Sequence, residues 1–345
     1  MTKVAINGFG RIGRAFFKMS LNNPNFQVVA INDLGDINNL AYLLKYDTAY
    51  GPSGLNVEVE NNNLIVNDNT ITFLSERNPT SLPWQKMDID IVIEATGVFG
   101  SYEKSKQHLE AGAKRVIVSQ PIKDNPTTAG VTGDTILMGV NDNNLSTCQI
   151  SSNASCTTNA TSPVIAVLKD SIGIESAVLN TIHAYTSSQS LVDGPNKDFR
   201  KGRAAALNIV PTSTGAAIAT TKAHTDLENK FDGIAIRVPV PVGSIVDITF
   251  IASRPTTVEE INEALSNAAA SAAWSDLLAV TSDPLVSSDI IGSEIAAIAD
   301  LSMTRVVNGN LVKVLAWYDN ETGYSHTLVR HAEAVAKFFN AKSGE

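Results

Sequence analysis

The chain has 345 residues, carries 26 Lys+Arg against 35 Asp+Glu for a net charge of −9, and is 43% hydrophobic. A chain of this length builds about two domains with cores of their own, which excludes global disorder; its acidic balance disfavours nonspecific nucleic-acid binding but leaves an anionic small substrate open to a local arginine cluster. It holds no run of about 18 apolar residues, no signal-peptide pattern before Val4-Ala5-Ile6 and only two cysteines, Cys148 and Cys156, so the expectation is a cytoplasmic protein, neither membrane-bound nor secreted.

Short β-branched runs at 3–7, 27–32, 90–95 and 115–119 alternate with helical stretches at 11–22, 36–46 and 101–112. That alternation predicts a doubly wound parallel sheet covered on both faces, and the largely apolar Ile89-Asp90-Ile91-Val92-Ile93 fits a buried strand in it. The polar clusters at 61–63 and 67–69 around Leu64-Ile65-Val66 predict a small hairpin. From about Cys156 the pattern changes to longer strands at 177–186, 233–240, 245–252 and 311–318, an α+β arrangement. The irregular stretch Ser187 to Asn208, containing Gly194-Pro195 and Gly202, has the length of a functional or disordered loop. Ser325 to Phe339 then carries Leu328, Val329, Ala332, Val335, Phe338 and Phe339 at helical spacing, which predicts a helix packing back on the first domain.

The first strand runs into Gly8-Phe9-Gly10-Arg11-Ile12-Gly13 and then a helix. Gly8 permits a tight turn, Gly10 lets backbone approach a pyrophosphate, and Gly13 lets the helix pack closely on the strand, while the helix N-terminus attracts the anion. Alone this pattern also describes ordinary turn glycines. Its place after the first strand and Asp33 at the end of the second, where a carboxylate accepts from ribose hydroxyls, point to a dinucleotide, and to NAD over NADP because a 2′-phosphate would be repelled. Asp33 as a turn residue or as the N-cap of the following helix is the plainer alternative. Thr96-Gly97 and Ser119 fall at carboxyl ends of later strands, where ligands collect; Arg77 fits either a cofactor contact or a solvated surface.

Cys156 is set among small polar residues, Ser151 to Asn159, a context for a partly exposed thiol rather than core filler. A helix covers Pro163 to Lys169; were it to begin near Cys156, its dipole would depress the thiol pKa, with Pro163 obscuring the start. His183, at the end of the strand 177–186, is the available base, with Thr181 and Tyr185 on its face by the two-residue repeat; from spacing alone a lone histidine is more often a surface or structural residue. Cys148 reads as a small buried side chain. His108, His224, His326 and His331 show no metal-ligand spacing with the cysteines, and no metal is expected.

At these residues the chain resembles the phosphorylating glyceraldehyde-3-phosphate dehydrogenases: I-N-G-F-G-R-I-G-R at 6–14, A-S-C-T-T-N at 154–159, H-A-Y-T at 183–186, P-T-S-T-G-A-A at 211–217 and W-Y-D-N-E-T-G-Y-S at 317–325 match in order and spacing over nearly the whole chain. The resemblance implies a Rossmann-type NAD-binding domain over 1–155 with a C-terminal helix at 320–345, and a catalytic domain over 156–319. It implies Cys156 as nucleophile and His183 as the group that raises its reactivity, with Ser155 and Thr157 beside the sulfur. Thr186 and Arg237 resemble the pocket for the substrate C3 phosphate; Arg203, Thr214 and Gly215 resemble the pocket for inorganic phosphate, Arg203 otherwise being a solvated loop residue beside Arg200 and Lys201. Arg11, Ile12, Asp33, Arg77, Ser119 and Asn320 match cofactor-contacting positions. The 187–208 stretch resembles a loop facing neighbouring subunits in a homotetramer. Ala160 replaces a second cysteine found in many members, and Ser119-Gln120-Pro121 departs from the usual Ser-Ala-Pro.

The implied reaction oxidises a small phosphorylated aldehyde with inorganic phosphate and NAD through a hemithioacetal and a thioester, a step of glycolysis. An erythrose-4-phosphate dehydrogenase on the same plan is the nearest alternative; a catalytically silent NAD-binding redox sensor is the alternative of another kind.

Overall fold

A computed structural model describes residues 1–340 and divides the chain into two compact units, one formed by Met1–Ala154 with the segment from Ser325, the other by Ser155–Tyr324. In the first unit, the strands are β1 (Thr2–Asn7), β2 (Phe26–Asn32), β3 (Val57–Glu60), β4 (Asn63–Val66), β5 (Asn69–Leu74), β6 (Ile91–Glu94), β7 (Arg115–Val118), β8 (Gly133–Thr135) and β9 (Ile150–Ser152). They form one nine-stranded sheet in the order β8-β9-β7-β6-β1-β2-β5-β4-β3. The six strands from β8 to β2 pair in parallel, as the alternation with helices α1 (Arg11–Ser20), α2 (Ile37–Lys45) and α3 (Tyr102–Glu110) anticipates.

Period-two alternation sends β1 side chains to two separate cores: Val4 and Ile6 pack with Phe16, Phe17 and Ile93, while Ala5 packs with Trp84, Val92 and Val116. The first core also contains Leu328, Val329, Ala332 and Val335 from the helix Thr322–Asn340, whose apolar spacing suits that burial. Positions 341–345 of the expected helix lie outside the described residues. The expected single hairpin is a three-stranded meander: both polar clusters are turns, with Asn61 and Asn62 at φ 48° and 60° and Asn67 and Asp68 at φ 46° and 68°. Asn and Asp tolerate this left-handed region, and such two-residue turns match the twist of the flanking strands.

The second unit holds α4 (Cys156–Ser171), β10 (Ile174–Ala184), β11 (Val210–Ser213), α5 (Ala216–Thr221), β12 (Phe231–Val238), β13 (Ser244–Ala252), α6 (Val258–Ala269), β14 (Leu278–Thr281), β15 (Ala297–Asp300) and β16 (Leu311–Tyr318). Its sheet runs β11-β12-β10-β13-β16-β15-β14 and is mainly antiparallel. Alternate residues of β13, Val246, Ile248 and Phe250, are buried with Val164, Ile165 and Leu168 of α4 and Ile261 and Leu265 of α6, so helices cover one face. The parallel pairing of β10 with β12 sets His183 directly opposite Arg237. Residues 320–324 group with this unit, where Asn320 Oδ1 accepts from the Gly243 N–H and Asp319 Oδ2 from the Gly292 N–H. Among the described residues no helix is long and apolar enough to cross a membrane.

Candidate active site

The first unit carries a cleft of about 310 Å³ at the carboxyl ends of β1, β2 and β6, lined among others by Gly8, Gly10, Asp33, Arg77 and Thr96. Gly8, at φ +96°, turns the chain so closely that a Cβ would sit 2.7 Å from the Ala95 carbonyl carbon and the Thr96 nitrogen. A Cβ on Gly13 would lie 2.1 Å from the Gly8 oxygen, so both glycines are required by close backbone approach. At Gly10 a Cβ would meet nothing within 4 Å, and no side chain caps the start of α1. An uncapped helix start behind an open glycine leaves room and free N–H donors for an anion.

Asp33 Oδ2 accepts from the Phe9 N–H at 2.6 Å and Oδ1 from the Gly35 N–H at 2.7 Å. Of the plainer alternatives the N-cap falls away, because Asp36 caps α2 by accepting from the Asn39 N–H, while the turn role stands in the bond from the Gly35 N–H, two residues on. Of the other cofactor candidates, the Arg11 guanidinium donates to Asp47 Oδ2 at 2.9 Å, Ile12 packs against the core, and the Ser119 N–H donates to the Glu94 carbonyl. Arg11, Ile12, Gly13 and Ser119 are not among the cleft-lining residues, and Asn320 belongs to the second unit. Asn320 Oδ1 also accepts from Ser244 Oγ, which fixes its amide with the oxygen committed internally. Asn7, Asn32 and Glu76 also line the cleft and were missed; the positions of Asn7 and Asn32, immediately before Gly8 and Asp33, were the available signal.

In the second unit Ser155 is the N-cap of α4, its Oγ accepting from the Thr158 N–H at 3.1 Å, and Cys156 is the first helical residue. The helix therefore starts at the thiol and continues through Pro163; Val164, Ile165 and Leu168, all fully buried, supply the packing that outweighs the lost hydrogen bond. Cys156 Sγ lies 3.3 Å from His183 Nε2. The expected depression of the thiol pKa is not found: burial pushes the Cys156 thiol up, and it outweighs the opposing pull of Arg237 and the helix-start N–H groups. Burial and the Arg237 charge push His183 down to about 3. The pair thus rests as thiol and neutral imidazole, and the thiol depends on its neighbour for activation.

His183 Nδ1 is 2.7 Å from the Ala184 carbonyl oxygen and 2.7 Å from Arg237 Nη1, which itself donates to that carbonyl at 2.9 Å. Arg237 is held at a lowered pKa by burial, and its buried Nε has no hydrogen-bond partner. Thr186 Oγ1 is 2.8 Å from Ser188 Oγ, and the Thr186 N–H donates to Gln189 Oε1, whose Nε2 is likewise buried without a partner. Two unsatisfied donors of this kind suit an anion. Ser188 and Gln189 were not singled out by the sequence, which offered only their nearness to Thr186.

The remaining substrate candidates are more dispersed in role. Thr157 Oγ1 is 3.0 Å from the Tyr318 hydroxyl, which is 2.8 Å from Thr181 Oγ1, and the Tyr318 ring stands edge-on to His183 at 6.0 Å. Tyr318 was also missed, although it opens the Y-D-N-E-T-G-Y run. Arg203 Nε donates to Asp193 Oδ2 at 2.9 Å on the exposed loop. Thr214 Oγ1 accepts from the Ala216 N–H, and Gly215 caps α5 with open space around it. Cys148 is buried, with its thiol pushed up to about 11 by burial and the Asp134 charge. Among the described residues no group of three or more His, Cys, Asp or Glu is placed to hold a metal ion.

The sequence matches two family descriptions: "Glyceraldehyde 3-phosphate dehydrogenase, NAD binding domain" over residues 2–102 and "Glyceraldehyde 3-phosphate dehydrogenase, C-terminal domain" over residues 155–320. It is 46% identical over 336 residues to the glyceraldehyde-3-phosphate dehydrogenase of Geobacillus stearothermophilus, covering 97% of this chain and 98% of the relative. It is 45% identical over 337 residues to glyceraldehyde-3-phosphate dehydrogenase 1 of Bacillus subtilis, with the same coverages. Against the Borreliella burgdorferi enzyme of that name the identity is 45% over 342 residues, 97% of this chain and 100% of the relative.

Proposed function

The chain belongs to the glyceraldehyde-3-phosphate dehydrogenase family, and from that premise we propose that its NAD-dependent oxidation of glyceraldehyde 3-phosphate in glycolysis uses Cys156 as nucleophile and His183 as base. The observation that carries this reading is the 3.3 Å approach of Cys156 Sγ to His183 Nε2 at the start of a helix. His183 takes the thiol proton, and the thiolate attacks the aldehyde carbon to give a hemithioacetal. The Cys156 N–H and protonated His183 donate to the developing oxyanion. His183 then holds the hydroxyl proton as the hydride departs and the thioester forms on Cys156. NAD, when bound, supplies the hydride acceptor. Inorganic phosphate attacks the thioester, giving the acyl phosphate and returning the thiol.

Arg237 and Thr186 take the C3 phosphate in this reading, supported by the unpartnered Arg237 Nε. Arg203, Thr214 and Gly215 take inorganic phosphate, and Ser155 and Thr157 frame the sulfur. The cofactor residues are Gly8, Gly10, Arg11, Ile12, Gly13, Asp33, Arg77, Thr96, Ser119 and Asn320, with Asn320 orienting the nicotinamide amide through its NH2. The open Gly10 cradle suits a pyrophosphate, and the Asp33 carboxylate suits an unphosphorylated ribose. The NAD-binding domain corresponds to the first unit, Met1–Ala154 with the segment from Ser325, and the substrate domain to the second, Ser155–Tyr324. The enzyme is placed in the cytoplasm, in keeping with its two unpaired cysteines. It is a homotetramer: Leu191, Val192, Phe199 and Leu207 expose apolar side chains on the 187–208 loop that assembly would cover, and light scattering tests this.

Replacing Cys156 by Ser is expected to preserve NAD binding and abolish most NADH formation in an absorbance assay; near-normal turnover would remove the thioester route. Parallel assays with glyceraldehyde 3-phosphate and erythrose 4-phosphate, with and without phosphate, test the substrate.

A further inference from the structure

Beneath the cofactor cleft runs a set of buried polar side chains that the reaction does not use. Glu94, His108, Asn7 and Asn32 are all at most 4% exposed, and Trp84 is fully buried. Trp84 sets the polarity at one end. An indole N–H only donates, so its 3.1 Å hydrogen bond to His108 Nδ1 leaves the imidazole proton on Nε2, which donates to Glu94 Oε2 at 3.1 Å. Asn7 Nδ2 donates to the same oxygen at 2.6 Å. Thr96 donates to Glu94 Oε1 through both its N–H, at 2.8 Å, and its hydroxyl.

With its NH2 committed to Glu94, Asn7 presents Oδ1, which accepts from Asn32 Nδ2 at 2.7 Å. Asn32 Oδ1 in turn accepts from the Glu76 N–H at 2.8 Å, and Asn32 Nδ2 donates to the Glu76 carbonyl at 2.9 Å. The carboxylate at the centre, with the indole at one end and the Glu76 backbone at the other, therefore fixes the direction of the bonds in the run, which ends on two cleft-lining segments, Thr96 and Glu76-Arg77. We infer that Glu94 is a positioning residue for the dinucleotide, fixing through Thr96 and the Asn7–Asn32 relay the polar atoms presented to the cofactor. This rests on reading the cleft as the NAD site.

Glu94→Gln keeps the shape, but whichever way its amide turns, the NH2 faces an obligatory donor: Asn7 Nδ2 and His108 Nε2 on one oxygen's position, the Thr96 N–H on the other. The Kd for NAD and for ADP-ribose is expected to rise about tenfold, with kcat at saturating NAD held within about twofold and KM for glyceraldehyde 3-phosphate unchanged. Adding Asn7→Asp gives the glutamine NH2 an acceptor and keeps an acceptor before Asn32, so the double variant is expected to bind NAD more tightly than Glu94→Gln alone. Wild-type affinity in Glu94→Gln, or no recovery in the double variant, overturns the inference. Asp33→Ala separates the levels: if it weakens NAD binding and Glu94→Gln does not, only the role of Glu94 falls, and if neither does, the cleft assignment falls with it. Should Glu94→Gln not fold, Glu94→Asp decides, since it keeps the acceptor but draws the carboxylate back from Asn7 and Thr96 without altering a cleft-lining residue. Weaker NAD and ADP-ribose binding supports the relay, and unchanged binding overturns it.

Discussion

His183 has two ring nitrogens and more neighbours than they can serve in one protonation state. When Nδ1 accepts from Arg237, the proton sits on Nε2 and points at Cys156 Sγ; when Nδ1 donates to the Ala184 carbonyl, Nε2 offers a lone pair to the thiol. Only the second arrangement serves as a base. A phosphate that engages Arg237 competes with His183 for its N–H groups, so in the proposed mechanism Arg237 acts on the base as well as on the substrate. Arg237→Ala is expected to lower kcat/KM for glyceraldehyde 3-phosphate by roughly 100-fold and for unphosphorylated glyceraldehyde much less. Equal losses would contradict the assigned pocket. At the other site, exchanging Asp33 for Gly removes the carboxylate proposed to oppose a 2′-phosphate, and the ratio of kcat/KM for NAD over NADP is expected to narrow. An unchanged ratio would mean another residue reads the ribose. Tyr318→Phe leaves the Thr157 and Thr181 hydroxyls without their shared partner, a loss of about 1–3 kcal/mol measurable by denaturant titration.

Among the elements, α4 carries the greatest burden, because its first residue is the proposed nucleophile and Ser155 is its cap. Ser155→Ala is expected to cost about 1 kcal/mol of stability and to slow Cys156 alkylation by iodoacetamide at fixed pH, since the helix start would fray beneath the sulfur. Alkylation as fast as in the parent protein would show that the cap does not position the thiol. Much of this architecture was legible in the chain: β-branched runs and glycine spacing placed β1, β2, β6 and the turn before α1, and the two-residue repeat put Thr181 on the His183 face. The start of α4 was obscured because Pro163 reads locally as a breaker, and only the buried packing of Val164, Ile165 and Leu168 overrides it. The direction of the Cys156 pKa was illegible for a related reason. A motif shows the helix end and the polar neighbours but not the burial that opposes them. Tyr318, Gln189 and Glu94 were missed because their partners are far away in sequence or offer no motif, and hydrogen-bond direction appears only once the strands are paired.

At the scale of the whole molecule, buried neutral imidazoles set the response to acid. His331, fully buried in the first unit between Ser151 Oγ and Asn153 Oδ1, is pushed down to about 3 by burial, and His224, bonded to Ser162 in the second unit, to about 4. A histidine whose folded pKa lies below its unfolded value of 6.5 binds fewer protons folded than unfolded throughout that interval. Its contribution is therefore complete above pH 6.5 and is lost as pH falls toward the folded pKa, at about 1.4 kcal/mol per pH unit for each such group. His331→Gln is expected to reduce the stability difference between pH 7.5 and pH 5 by about 2 kcal/mol in urea titrations; an undiminished difference would assign the acid sensitivity elsewhere. The nine-stranded sheet has its own dependence on charge. Its outermost strands, β3 and β8, carry Glu58 and Glu60 at one margin and Asp134 at the other. Anionic margins repel a second sheet that would otherwise extend the hydrogen-bond ladder: Glu58→Val with Glu60→Val would be expected to turn the β3 margin into a seed for fibrous association, even in a protein whose catalytic rate is untouched.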